Sequence, residues 1–198
     1  DDALGEAFDK IAKLLGLGFP GGPAVEQAAL AGDARRFAFP RPLMGRPEPH
    51  FSFAGLKTAV RQRAEALQPL DGRTIADICA SFQAAVADCV AERCRRAMTI
   101  LAGRACAHPV RHLVVAGGVA ANMALKGALA ALARAHGYEL VVPPPSLCSD
   151  NAAMVAWAGA QRLLRGWTDG LDTPARARWP LDQMAPPVLG AGRLGAKA

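Results

Sequence analysis

No apolar stretch in this chain approaches the ~18 residues of a membrane span, because charged or polar residues interrupt each one. No secretory signal pattern is visible. The five cysteines, Cys79, Cys89, Cys94, Cys106 and Cys148, are an odd number with no Cys-x-x-Cys spacing. That pattern fits reduced thiols buried as small apolar side chains better than a disulfide framework or a zinc knuckle. There is no internal repeat, no GxGxxG, no P-loop lysine after paired glycines, no GxSxG elbow and no HExxH. Initiator methionine is missing too: the chain opens Asp1-Asp2-Ala3. The expectation is a latter portion of something larger.

What is present is ordinary globular composition. The 198 residues are 52% hydrophobic and 20% charged, and Gly 20 and Pro 15 are scattered rather than periodic. Disorder, collagen and coiled coil are thereby excluded, and the length suffices for one substantial core or two small ones. The net charge of +6 comes from arginine far more than lysine, as GC-rich coding bias would also produce. A basic face for nucleic acid is the functional alternative. The densest basic cluster, Arg93, Arg95 and Arg96, reads as a solvated helix face.

Along the chain, Leu4, Phe8, Ile11 and Leu15 recur at helical spacing over 3–17, and Gly16 and Gly18 end the pattern. Phe19-Pro20-Gly21-Gly22-Pro23 reads as a turn whose paired glycines allow close approach of a ligand. A short helix is expected over 24–30. Residues 32–50, with Pro40, Pro42, Pro47 and Pro49, read as an irregular connection. Phe51-Ser52-Phe53 then forms a short extended piece before a helix over 56–67. A long helix over 73–102 carries Ile75, Ile78, Phe82, Val86, Cys89 and Val90 on one face. A βαβα pattern follows: strand 112–116, helix 119–136, strand 138–142, helix 151–165. Strands alternating with helices in this way run parallel in one sheet.

Two strand-to-helix connections could carry chemistry. Val114-Val115-Ala116-Gly117-Gly118-Val119-Ala120-Ala121-Asn122 passes through two glycines that leave backbone amides open to a nucleotide or phosphate, and an equally simple reading is a tight turn. Asn122, an amide in the first helical turn, can read a base or ribose edge. In Pro143-Pro144-Pro145-Ser146-Leu147-Cys148-Ser149-Asp150-Asn151, spacing alone favours Asp150 as a helix N-cap, with metal ligation as the functional alternative. His108 and His112 have His-x-x-x-His spacing. Pro109 opposes a helix there, and in a strand residues four apart lie about 13 Å from each other, so the pair reads as non-ligating.

Taken together, Asp2-Ala3-Leu4-Gly5-Glu6-Ala7-Phe8-Asp9-Lys10, Leu14-Leu15-Gly16-Leu17 with Pro20-Gly21-Gly22-Pro23, Phe51-Ser52-Phe53-Ala54-Gly55-Leu56-Lys57-Thr58, Gly117-Gly118-Val119-Ala120-Ala121-Asn122, Cys148-Ser149-Asp150-Asn151-Ala152-Ala153-Met154 and Ala177-Arg178-Trp179-Pro180-Leu181 resemble the TsaD-like family of tRNA N6-adenosine threonylcarbamoyltransferases, formerly labelled glycoproteases. The resemblance implies an α/β fold of the actin-like ATPase type (ASKHA, ribonuclease H-like). The chain would be its second lobe, N-terminally truncated and helix-rich, over residues 1–181, with 182–198 as an irregular tail. It implies transfer of a threonylcarbamoyl group from threonylcarbamoyl-adenylate to the N6 amine of the adenosine beside the anticodon, in tRNAs reading A-starting codons. Asp9, Gly22 and Asn122 would bind the adenylate, and Asp150 would ligate one divalent metal ion, iron with zinc as the alternative. The family's two metal-binding histidines and its Ser-Gly-Gly phosphate turn lie upstream of the segment matching Asp2 and are not in this chain, so the chain alone is expected to be inactive. The resemblance also implies a cytoplasmic location, no membrane partner, and two protein partners: a non-catalytic paralogue that forms a heterodimer and a small P-loop ATPase.

Two other readings remain at this level. One is a silent nucleotide-binding or interaction paralogue, against which Asp9, Asn122 and Asp150 speak. The other is a carbamoyltransferase domain of hydrogenase maturation, which Phe51–Lys57 and Ser149-Asp150-Asn151 disfavour. The glycoprotease label finds no helical zincin motif.

Overall fold

A computed structural model of the chain describes residues 3–104, 110–148 and 151–174. Helix α1, Leu4–Leu14, buries Ala7, Phe8, Ile11 and Ala12 on one stripe. It stops short of the expected residue 17 because Gly16 turns left-handed at φ 71°. The Leu17 amide then bonds back to the Ala12 carbonyl at 2.9 Å, closing the helix end. Helix α2, Gly21–Ala29, starts three residues before the expected 24. Pro23 falls in its first turn, where the missing N–H costs nothing.

Helix α3 is Ala54–Ala66 and α4 is Gly72–Ala102, 31 residues and about 46 Å long. The Asp71 carboxylate caps α4 by accepting from the Thr74 amide at 2.6 Å. The core lies where α1, α2, α3 and α5 pack around α4. Phe8 meets Phe82 edge-on, ring centroids 5.1 Å apart, with Ile78 and Val86 fully buried beside them. By length and composition α4 could cross a membrane, contrary to the expectation that nothing in the chain approaches a span; 67% of its most apolar stretch is nevertheless buried in this fold. Its polar residues break the run in sequence, but several of them, Asp77 and Ser81 among them, turn inward.

The proline-rich segment between α2 and α3 runs alongside α4. Its Asp33 amide donates to Asp77 Oδ1 at 2.6 Å, and Arg36 to Asp77 Oδ2 at 2.6 Å. The Phe37 amide donates to Ser81 Oγ, and Arg41 to Asp88. Further on, Arg93 Nη1 donates to the carbonyls of Arg46 and Glu48 at 3.1 and 2.7 Å. Arg93 is therefore buried, 1% exposed, and not part of a solvated basic face. Its guanidinium, paired also with Glu92, replaces backbone partners that a segment without regular structure cannot supply to itself.

Strands β1, His112–Val114, and β2, Glu139–Val141, pair in parallel with His112 opposite Glu139 and Val114 opposite Val141. Helix α5, Met123–Ala135, is their crossover. The expected continuous helix over 119–136 is broken: Gly118–Ala121 is a 3-10 turn, and Asn122 sits between it and α5 with extended backbone. Helix α6, Ala152–Leu164, buries none of its residues, leaving Met154, Val155, Trp157, Leu163 and Leu164 exposed. Its N-cap is Asn151, accepting from the Met154 amide at 2.9 Å, so the capping role that spacing suggested for Asp150 belongs to its neighbour. Asp150, His108, Cys106, the 177–181 motif and the 181/182 boundary lie outside the described residues. The whole is a helix-rich α/β arrangement with a small parallel sheet.

Candidate functional site

Two of the segments that sequence singled out, 19–23 and 114–122, come together where α1, α2 and the start of α5 meet. Asp9, on α1, accepts the Gly21 amide through Oδ1 at 2.8 Å. That bond satisfies one of the first amides of α2, which have no intrahelical acceptor, and places a carboxylate at the helix's positive end. The two adjacent glycines have different causes. A Cβ on Gly21 would stand 2.5 Å from the Asp9 Cα and 2.8 Å from the Phe8 carbonyl oxygen, so close packing of α2 on α1 demands glycine there. A Cβ on Gly22 would meet open space. Nothing in the fold accounts for the missing side chain at Gly22, which leaves the backbone bare beside the Asp9 carboxylate.

On the facing side, Gly117 adopts φ 90°, which only glycine takes without strain, and turns β1 into the 3-10 turn. Val119 in that turn packs within 3.9 Å of where a Cβ on Gly5 of α1 would stand. Asn122 is 7% exposed. Its Oδ1 accepts from the Leu125 amide at 3.0 Å, capping α5, and its Nδ2 donates to Gln83 Oε1 on α4 at 2.8 Å. Asn122 is therefore a cap tied to the core helix and not a residue of the first helical turn.

Glu26 escaped the sequence reading. One turn beyond Gly22 on the same face of α2, its Oε1 accepts from the Met123 amide at 2.6 Å, bridging α2 to the start of α5. The signal was there, Gly22 and Glu26 at i and i+4, but it is legible only once α2 is known to begin at Gly21. The structure thus brings Asp9, Gly22, Glu26 and Asn122 to one junction.

Three of the thiols are poor nucleophiles. Burial pushes Cys79 up to about 12 and Cys89 up to about 11, and raises Cys94 as well, so these sulfurs stay protonated and weakly reactive. Cys79, Cys89, Cys94 and Cys148 are all free thiols. Among the described residues no group of three or more His, Cys, Asp or Glu side chains could hold a metal ion. His112 instead faces Glu139 across the strand pair at 3.4 Å. The described residues do not by themselves fit a metal.

Comparison with known proteins gives the family of the chain. The family described as TsaD, tRNA N6-adenosine threonylcarbamoyltransferase, matches residues 1–157. The chain belongs to that family. A protein named tRNA N6-adenosine threonylcarbamoyltransferase from Brucella suis is 58% identical over 200 residues, covering 100% of this chain and 55% of the relative. Proteins of the same name from Brucella anthropi and Bartonella tribocorum are 57% and 56% identical, again across the whole chain. The chain thus spans about half the length of these TsaD relatives. The match to residues 1–157 takes in Asp9, Gly22, Glu26, Asn122 and Asp150.

Proposed function

We propose that the chain is the adenylate-holding part of a tRNA N6-adenosine threonylcarbamoyltransferase: the second lobe of an actin-like fold over 1–181, with 182–198 as a tail. The observation that carries this reading is the Asp9–Gly22 pair, a carboxylate fixed by the Gly21 amide beside a glycine whose open side no part of the fold fills. With Oδ1 engaged, Asp9 Oδ2 accepts from a ribose hydroxyl, and Gly22 lets the sugar or base lie against the backbone. Glu26 and Asn122 fix the opposite wall, Asn122 offering the nucleotide the amide hydrogen that its bond to Gln83 does not use.

In the reaction, the N6 amine of adenosine attacks the carbamoyl carbon of threonylcarbamoyl-adenylate. The new C–N bond forms, the C–O bond to phosphate breaks, AMP leaves and the amine releases a proton. The mixed anhydride is already activated, so what these residues contribute is orientation of the adenylate toward the amine. None of them is assigned as the base. We assign Asp150 as a ligand of one divalent metal ion, iron in preference to zinc, whose imidazole ligands come from the half of the relatives that this chain does not span. When bound, such an ion would stabilise charge on carbonyl and phosphate oxygens. By the same reading the enzyme is cytoplasmic and works with a non-catalytic paralogue and a small P-loop ATPase.

The test has two arms. Calorimetry of AMP against the chain should show binding that weakens at least tenfold in Asp9→Asn. A transfer assay on tRNA, with the partner proteins, should give turnover only when the half of a Brucella relative that this chain does not span is supplied as well. Robust turnover by the chain without it, or AMP binding indifferent to Asp9, would overturn the reading.

A further inference from the structure

Where α4 passes the junction it carries Gln83, a half-buried amide between the fully buried Phe82 and Val86. Its Oε1 accepts from Asn122 Nδ2 at 2.8 Å, while Asn122 Oδ1 accepts from the Leu125 amide at 3.0 Å. The Leu125 N–H can only donate, so Asn122 must turn its oxygen to α5 and its nitrogen to α4, and Gln83 must answer with its oxygen. Two bonds to two different helices fix the plane of the Asn122 amide. The second hydrogen on Nδ2 lies in that plane and has no partner among the described residues. The fold does not call for this arrangement. Burial of Leu125 in the core and the bond from the Met123 amide to Glu26 already seat the start of α5. Aspartate or serine would cap the helix as well as asparagine does, but neither offers an amide hydrogen.

We propose that Gln83 is a positioning residue of the adenylate site, acting through Asn122 by aiming its remaining amide hydrogen at the base or ribose. The inference rests on the transferase reading above. Neighbouring residues of the core helix then anchor both walls of the site: Phe82 packs edge-on against Phe8, the residue before Asp9, and Gln83 holds Asn122. Without Gln83 the Asn122 amide keeps its cap bond but swings about it, and the hydrogen meant for the ligand spreads over several directions. Binding must then order that side chain as well as the ligand. For this duty Gln83 needs only an acceptor oxygen, not its own amide hydrogens.

The experiment titrates the chain with adenosine, whose lack of charge removes phosphate electrostatics, and follows both affinity and the side-chain amide signals of Asn122 by proton–nitrogen correlation NMR. Wild type is compared with Gln83→Met, similar in length but without an amide; with Gln83→Glu, which keeps an acceptor oxygen; with Asn122→Asp, which keeps the cap without amide hydrogens; and with Gln83→Met/Asn122→Asp. Circular dichroism melts check folding. Gln83→Met should weaken adenosine binding about fivefold, the equivalent of one neutral hydrogen bond, and move the Asn122 amide signals toward those of an exposed asparagine. Asn122→Asp should weaken binding as much. Gln83→Glu should bind within about twofold of wild type, since its carboxylate accepts the same hydrogen. In the Asn122→Asp background Gln83→Met should cost nothing further, because the hydrogen it aims is gone. A merely structural loss would instead appear in both backgrounds. Equal losses in the two backgrounds, failure of Gln83→Glu to restore binding, or wild-type binding by Gln83→Met would each overturn the assignment. Asp9→Asn separates it from the transferase reading: adenosine binding that falls with Asp9→Asn but not with Gln83→Met removes Gln83 alone, and a wild type that binds neither adenosine nor AMP removes both.

Discussion

At the scale of single residues, Gly21 and Gly22 are the most instructive pair in the chain. They are adjacent, chemically identical and equally visible in the sequence, yet one is demanded by the protein and the other is not. Gly21→Ala would drive a methyl group into the Asp9 backbone, and the expected cost is about 1–3 kcal/mol of unfolding free energy. Gly22→Ala meets nothing and should leave stability within ~0.5 kcal/mol of wild type, while weakening AMP binding tenfold or more. Urea denaturation and calorimetry on the two variants separate these outcomes. A Gly22→Ala protein that unfolds early, or that binds AMP normally, would remove Gly22 from the site. Asn122 carries a related lesson. Its sequence position suggested an outward-reading amide; the structure gives that amide two internal duties, capping α5 and gripping Gln83. One side chain can thus start a helix, tie two helices together and keep an amide hydrogen for a ligand, and sequence position alone separates none of these duties.

At the scale of elements, the joint between the proline-rich segment and α4 titrates. The Asp33 amide, and after it the Arg36 guanidinium, holds the buried Asp77 carboxyl below its ordinary value of 3.8. Arg73 on α4 also approaches it, at 3.3 Å, and together these partners outweigh the burial that opposes its charged form. A carboxyl with a lowered folded-state pKa stabilises the fold above its unfolded value, and that contribution disappears as pH falls through the folded value. The stability of wild type should therefore drop below about pH 4, and Asp77→Asn, already without the charge, should show a shallower dependence between pH 6 and 3. Parallel slopes in denaturation curves would contradict the assignment. Helices, strands and their order were legible from apolar periodicity, because one buried face per element suffices to reveal them. Their ends were not, because Gly16, Pro23 and Asn122 act through backbone conformation and capping. The route of residues 32–53 was also hidden, since Asp77, Ser81 and Arg93, the residues that guide it, read in sequence as polar interruptions of an apolar helix. The Asp9–Gly22–Asn122 site was reached through motif resemblance. Glu26 needed the meeting of α2 with the start of α5 to appear.

At the scale of the whole molecule, the packing is unequal. Helix α4 contacts α2, α3 and α5, whereas α6 buries nothing. The exposed apolar residues Val114 and Val141 belong to a parallel pair in which, among the described residues, each strand has one partner, and parallel strands are ordinarily covered on both faces. In hydrogen exchange, amides of 78–90 in α4 should open only with global unfolding, and those of α6 should exchange orders of magnitude faster through local opening. Comparable protection in the two helices would mean that α6 is held by contacts other than those described here. The segment along α4 adds an asymmetry of its own. Its leading end hangs on a carboxylate that a proton can neutralise. Its trailing end hangs on Arg93 gripping the backbone carbonyls of Arg46 and Glu48, acceptors that do not titrate. Acid should peel this segment away from residue 33 onward like tape lifted from one corner, with residues 46–48 the last to let go.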